Sequence, residues 1–114
     1  MSERMTHEEY VTIQRRRVAD LARQILAREI DVLDGSVQIA GLRNELEIDH
    51  DDYDLLAFVI VESDTDALPI GAESLNWSKE ALIRKEPELR SAREWAFSTV
   101  RDACENLIAR FADN

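Results

Sequence analysis

The chain has 114 residues, 45% of them hydrophobic and 33% charged, with a formal net charge of −10. That length holds one compact core, and no apolar run approaches the roughly 20 residues a membrane span needs. Three Gly, two Pro and a single Cys argue against a many-turned β architecture and rule out an intramolecular disulfide, so a reducing, cytoplasmic setting is expected.

Residues 1–9 carry no apolar segment that would read as a secretory signal, and residues 1–5 are expected to be disordered. Thr6 and Glu9 then have capping-box spacing, which predicts a helix start. Val11, Val18, Leu21, Ala22 and Ile25 fall within about a 100° arc at helical spacing and form a core-facing stripe. Arg16 and Asp20 lie four apart on the outer surface. The first helix is expected to run to about Leu33 and to stop at Asp34-Gly35.

Ser36 is a plausible cap for a second helix over residues 37–47, which turns Ile39, Leu42 and Leu46 to one side despite Gly41 within it. A connection over residues 48–52 follows. Residues 55–61 are the most apolar run in the chain, and periodicity alone fits a buried helix or a buried strand. With no second strand signal to pair with, the run is assigned to a helix. Ser63, Asp64, Thr65 and Asp66 suit a turn, and Leu68-Pro69-Ile70-Gly71 a loop.

A short helix is expected over residues 76–84, carrying Trp77, Ala81 and Leu82. Pro87 should break it and open the last helix at its first position. There Leu89, Ala92, Ala96, Val100, Ala103, Leu107 and Phe111 recur at spacings of three and four. Residues 1–114 are thus expected to form a single all-α domain, a bundle of about four to five helices with two long terminal ones.

The charge is unevenly placed. Residues 44–78 hold ten acids and no Lys or Arg, whereas the rest of the chain carries fourteen acids and fourteen bases. A field of that sign repels nucleic acid and anionic lipid and speeds encounter with a cationic surface.

Metal and nucleophile chemistry find little to work with. Counted from Asp49 as a calcium loop, the fifth position is Tyr53, the glycine position is Asp54 and the twelfth is Ile60, so the pattern fails. His7, His50 and Cys104 are too few for a structural zinc site. Cys104 lies beside the apolar stripe of the last helix and reads as a buried small hydrophobe. No metal and no cofactor are therefore expected.

Two resemblances add to this reading. Arg43-Asn44, five residues, then His50 resembles the Arg-x(4–6)-His signature of the HEPN ribonucleases, small all-helical proteins, in which the Arg and His stabilise and protonate the phosphodiester. Gly35, Leu42, Arg43, Leu46, Ser63, Thr65, Asp66, Pro69, Gly71, Trp77, Ala103 and Cys104 resemble the pattern of a group of small uncharacterised bacterial proteins with a Ser-Glu/Asp-Thr-Asp-x-x-Pro-x-Gly motif. That resemblance implies a compact bacterial protein and lends no chemistry. A looser likeness in size, acidity and helicity is to bacterial immunity proteins and antitoxins.

The first expectation is therefore a non-enzymatic module that binds a basic protein partner, and neither nucleic acid nor membrane. Asp51, Asp52, Asp54, Asp64 and Asp66 would steer the encounter, with Tyr53 or Trp77 as an apolar anchor. The alternatives are a metal-independent ribonuclease using Arg43 and His50, and a structural homodimer joined through a helix face.

Overall fold

A computed structural model describes residues 5–111. It contains four α-helices: α1 (His7–Leu26), α2 (Val32–Leu42), α3 (Tyr53–Asp64) and α4 (Lys79–Phe111). Two 3₁₀ turns, Arg43–Glu45 and Gly71–Asn76, lie in the connections, and no strand occurs among the described residues. The expected all-α bundle with two long terminal helices is what forms. The expectation for the extreme N-terminus lies outside the described residues except at Met5, which is exposed and non-helical.

α1 begins where its cap predicts. The Glu9 amide donates to Thr6 Oγ1 at 3.1 Å and the Thr6 amide to Glu9 Oε1 at 2.8 Å. All five residues of its expected stripe are buried. Its end comes earlier than the expected Leu33. Arg28 takes a left-handed φ of 62°, the Arg28 amide donates to the Ile25 carbonyl, and the Glu29 amide reaches the Gln24 carbonyl. That pair of bonds is a Schellman termination, with arginine in the place usually filled by glycine. The Arg28 guanidinium lies 3.8 Å from the centre of the Phe97 ring on α4, which helps to hold the turn.

α2 then starts at Val32, four residues before the expected cap Ser36. Asp31 is the cap: its Oδ1 accepts from the Leu33 amide at 2.9 Å, while its Oδ2 pairs with Arg93 of α4 at 3.1 Å. Gly35 is consequently inside the helix and stops nothing. A Cβ there would come within 2.8 Å of Ile25 and Ile30 side chains, so glycine lets α2 lie against the end of α1. Ser36 is fully buried, and its hydroxyl has no hydrogen-bond partner.

The apolar run at residues 55–61 is helical, within α3. Asp52 caps it through Oδ1, which accepts from the Asp54 and Leu55 amides. Phe58 and Val61 are fully buried and Leu55 nearly so. Each such side chain stabilises the fold by about 1.5–3 kcal/mol.

α4 is one continuous helix of 33 residues, which corrects the expected break at Pro87 and the separate short helix over residues 76–84. The Ser78 hydroxyl accepts from the Ala81 amide at 3.1 Å and caps it. Pro87 withdraws one N–H from Ile83, a residue 64% exposed, so water can satisfy the carbonyl left over. α4 packs on α1 and α3 and, less extensively, on α2. One core of buried residues joins all four helices.

Candidate functional site

The ten acids of residues 44–78 do not share one surface. Four are engaged near α1 or the end of α4. Glu45 accepts from the Tyr10 hydroxyl at 2.6 Å, and that bond raises the tyrosine pKa. Glu47 meets His7. Asp52 pairs with Arg110 at 2.9 Å, and Asp54 with Arg110 at 3.0 Å and Asn106 at 3.0 Å. The hydrogen bond from Arg110 holds the Asp52 carboxyl below the usual carboxylate range, against the opposing effect of partial burial. Two of the residues expected to steer a partner are therefore bound within the chain.

The connection that carries this group is fixed from α1. Arg15 donates to the Leu46 carbonyl through Nε at 3.0 Å and Nη2 at 2.8 Å, just before Glu47 takes a left-handed φ of 54°. Arg43 is half-buried in the first 3₁₀ turn, and His50 is exposed in the loop before α3. No hydrogen bond joins them, and the exposed Asp49 and Asp51 flank the histidine. An RNA phosphate approaching His50 would meet those carboxylates first. Asp51 is exposed, and Tyr53 is 88% exposed at the rim of an apolar groove formed by Leu56, Ala57 and Ile60 of α3 with Thr99 and Ala103 of α4.

A second acidic group lies at the other end of α3, about 18 Å away along the helix. Glu62, Asp66, Glu73 and Asp34 line a cleft of about 300 Å3 with Val37, Leu68 and Ile70, and no Lys or Arg lines it. Asp34 bonds Gln38 at 3.2 Å. The carboxylates of Glu62, Asp64, Asp66 and Glu73 make no hydrogen bond or ion pair among the described residues.

The backbone here is set by the motif residues around Thr65. The Thr65 hydroxyl donates to the Val61 carbonyl at 2.6 Å, and the Leu68 amide donates to the Thr65 carbonyl at 3.0 Å. Pro69 is buried. Gly71 has φ +59°, and a Cβ on it would stand 2.8 Å from Asp34 Oδ1. These residues thus shape the turn that forms the cleft. Trp77 is half-buried between the second 3₁₀ turn and α4, outside the cleft lining.

Electrostatically this end of α3 is under stress. Its last turn carries Glu62 and Asp64 and no base, at the negative end of the helix dipole. Sequence reasoning counted Glu62 and Glu73 in the acidic docking segment but named only Asp64 and Asp66 of this group as steering residues, and it left Asp34 out. The available signal was the pair of acids in the last turn, where helices favour bases. Arg110 and Arg15 were missed because their partners lie 58 and 31 residues away.

Cys104 is fully buried, and burial pushes its thiol up to about 12, so no thiolate forms near neutral pH. Among the described residues no three His, Cys, Asp or Glu side chains gather as a metal ion would require, and no helix is long and apolar enough to cross a membrane. No protein-family model, curated protein or solved structure matches the chain.

Proposed function

We propose that this protein is a non-enzymatic, cytoplasmic acidic binding module that docks a cationic protein surface at the cleft beyond α3, in the manner of an immunity protein or antitoxin. The observation that carries the reading is the set of partnerless carboxylates of Glu62, Asp66 and Glu73 lining the cleft, with Glu62 and Asp64 in the last turn of α3 at the negative end of that helix. Each acid in a final turn costs about 0.3–1 kcal/mol. A cation in the cleft would offset that cost, and the apolar Val37, Leu68 and Ile70 beside it suit the aliphatic stem of a Lys or Arg. The bacterial-group resemblance fits, since its Thr65, Pro69 and Gly71 serve the shape of this turn. Tyr53 with Asp51, at the far end of α3, is a separate surface.

Binding of a lysine-rich peptide tests the reading. Affinity should fall at least tenfold between low and physiological salt, and at least tenfold again in a Glu62→Gln, Asp64→Asn, Asp66→Asn variant. The same variant should melt a few degrees higher at low salt, because the repulsion at the helix end is gone. Peptide binding that ignores both salt and these three residues would refute the proposal.

A further inference from the structure

α3 and α4 run antiparallel, since Asn106 Nδ2 donates to Asp54 Oδ1 at 3.0 Å and Arg110 reaches Asp52 at 2.9 Å. The groove between them encloses about 290 Å3. Ala57 and Ala103, the smallest side chains lining it, leave a hole bounded by Tyr53, Leu56 and Ile60. At 100° per residue, Tyr53, Leu56, Ala57 and Ile60 fall within an arc of about 100° on α3. Trp95, one turn before Thr99, shares a similar arc of α4 with Thr99, Asp102 and Asn106. Tyr53 is 88% exposed, Ile60 48% and Trp95 39%, so large apolar side chains gather here instead of standing singly.

The shape of the groove selects a helix. Asp54 and Asn106 bond each other at one end, and the Thr99 hydroxyl donates to the Trp95 carbonyl at 2.8 Å. Both walls are helices whose main-chain groups bond along their own axes, so no edge is open to an extended strand. An occupant must bring a backbone already satisfied. From Tyr53 to Asp64 α3 rises about 16 Å, the length of three helical turns. Apolar residues at i, i+4 and i+7 of such a helix would meet Ile60, the alanine floor and Tyr53.

The charges decide the sign of that helix. No Lys or Arg lines the groove. Asp102, its side chain 84% exposed, has only a distant contact with Arg101, at 3.8 Å. Asp51 stands two residues before Tyr53, and Asp64 one turn beyond Ile60 on the same face. Both are exposed, and their carboxylates make no hydrogen bond or ion pair among the described residues. Acids thus stand at both ends and midway, a pattern that complements Lys or Arg flanking an apolar stripe. A second copy of the chain would bring acids against acids.

We infer that the groove between α3 and α4 receives an amphipathic, cationic helix of a partner protein, with its apolar residues seated on Ala57 and Ala103. Glu62, which lines the cleft, lies on the opposite side of α3 from Tyr53. The groove is therefore a site of its own and stands whether or not a cation binds in the cleft.

The test uses a labelled helical peptide of about 14 residues with Leu at spacings of four and three and Lys beside them. One control disperses the same Leu around the helix, and the other replaces Lys by Glu. Fluorescence anisotropy on the full chain should show the amphipathic cationic peptide bound about tenfold more tightly than either control. Ala57→Leu, which fills the floor, and Tyr53→Ala, at the exposed rim, should each weaken it about tenfold. Circular dichroism confirms that each variant folds. A Glu62→Gln, Glu73→Gln variant, whose cleft is weakened, should keep the preference for the amphipathic peptide. Equal binding of the peptide and its dispersed control would overturn the inference, as would binding untouched by Ala57→Leu and Tyr53→Ala, or a preference lost with the cleft residues. So would a wild-type dimer in sedimentation that Ala57→Leu turns into a monomer, because a second copy would then be the occupant.

Discussion

Gly35 and Gly41 are both helix-interior glycines of α2 that differ only in surroundings. Ordinarily alanine in a helix interior is favoured over glycine by about 0.5–1 kcal/mol. At Gly41 nothing lies within 4 Å of an added Cβ, so Gly41→Ala should raise stability by that amount. At Gly35 the methyl would press on Ile25 and Ile30 at 2.8 Å. Both are held in or against the core, so Gly35→Ala should instead cost about 1–3 kcal/mol. Urea midpoints of the two variants, moving in opposite directions from wild type, check this. The sequence reading took Gly35 for a stop and Ser36 for a cap because both suit those positions locally. Only the approach of α1 shows that Gly35 serves contact, and Ser36 is left buried with an unanswered hydroxyl.

Within single elements, capping chemistry was legible and one termination was not. Thr6 with Glu9 announced α1, and Asp31 with Asp34 three residues on carried a similar signal for α2 that Gly35-Ser36 overshadowed. Ala27, Arg28 and Glu29 give no local reason to leave a helix. The chain turns there because the Arg28 guanidinium stacks on Phe97 of α4, offsetting a left-handed backbone that costs about 1 kcal/mol or more. Arg28→Ala, which keeps the strain and loses the stacking, should destabilise by about 1 kcal/mol. Arg28→Gly loses the stacking but relieves the strain, and should stay within about 0.5 kcal/mol of wild type. Equal losses in both, measured by urea unfolding, would mean that the stacking alone holds the turn.

Across the whole molecule, Arg110 near the end of α4 joins the start of α3 by bonding both Asp52 and Asp54. Asp52 has its carboxyl pKa lowered in the folded state, so its contribution is complete above the unfolded value of about 3.9. That contribution is lost as pH falls from there through the lower folded value. Arg110→Gln should cost about 1–2 kcal/mol at pH 7 and flatten the acid limb of a stability profile taken from pH 7 to 2. An unchanged acid limb would mean the pair does not govern acid unfolding. The same bonds divide the acidic segment: one group turns inward to Arg110 and α1, and the other stands free at the cleft. Local charge counting could not foresee that division, because the neutralising arginine lies more than fifty residues away in sequence.

The amino-acid order by itself determined the helical class and the buried stripes of α1 and α4, because periodicity and capping act over a few residues; residues 55–61 fitted a helix and a strand alike until the structure placed them in α3. It also set the surplus of acid in the middle of the chain. Tertiary contact alone decided where α1 ends and which carboxylates remain without partners. Those outcomes depend on Phe97 and Arg110, groups that fold against distant positions. A left-handed turn or an ion pair takes its free energy from that meeting, and no short window of sequence contains it.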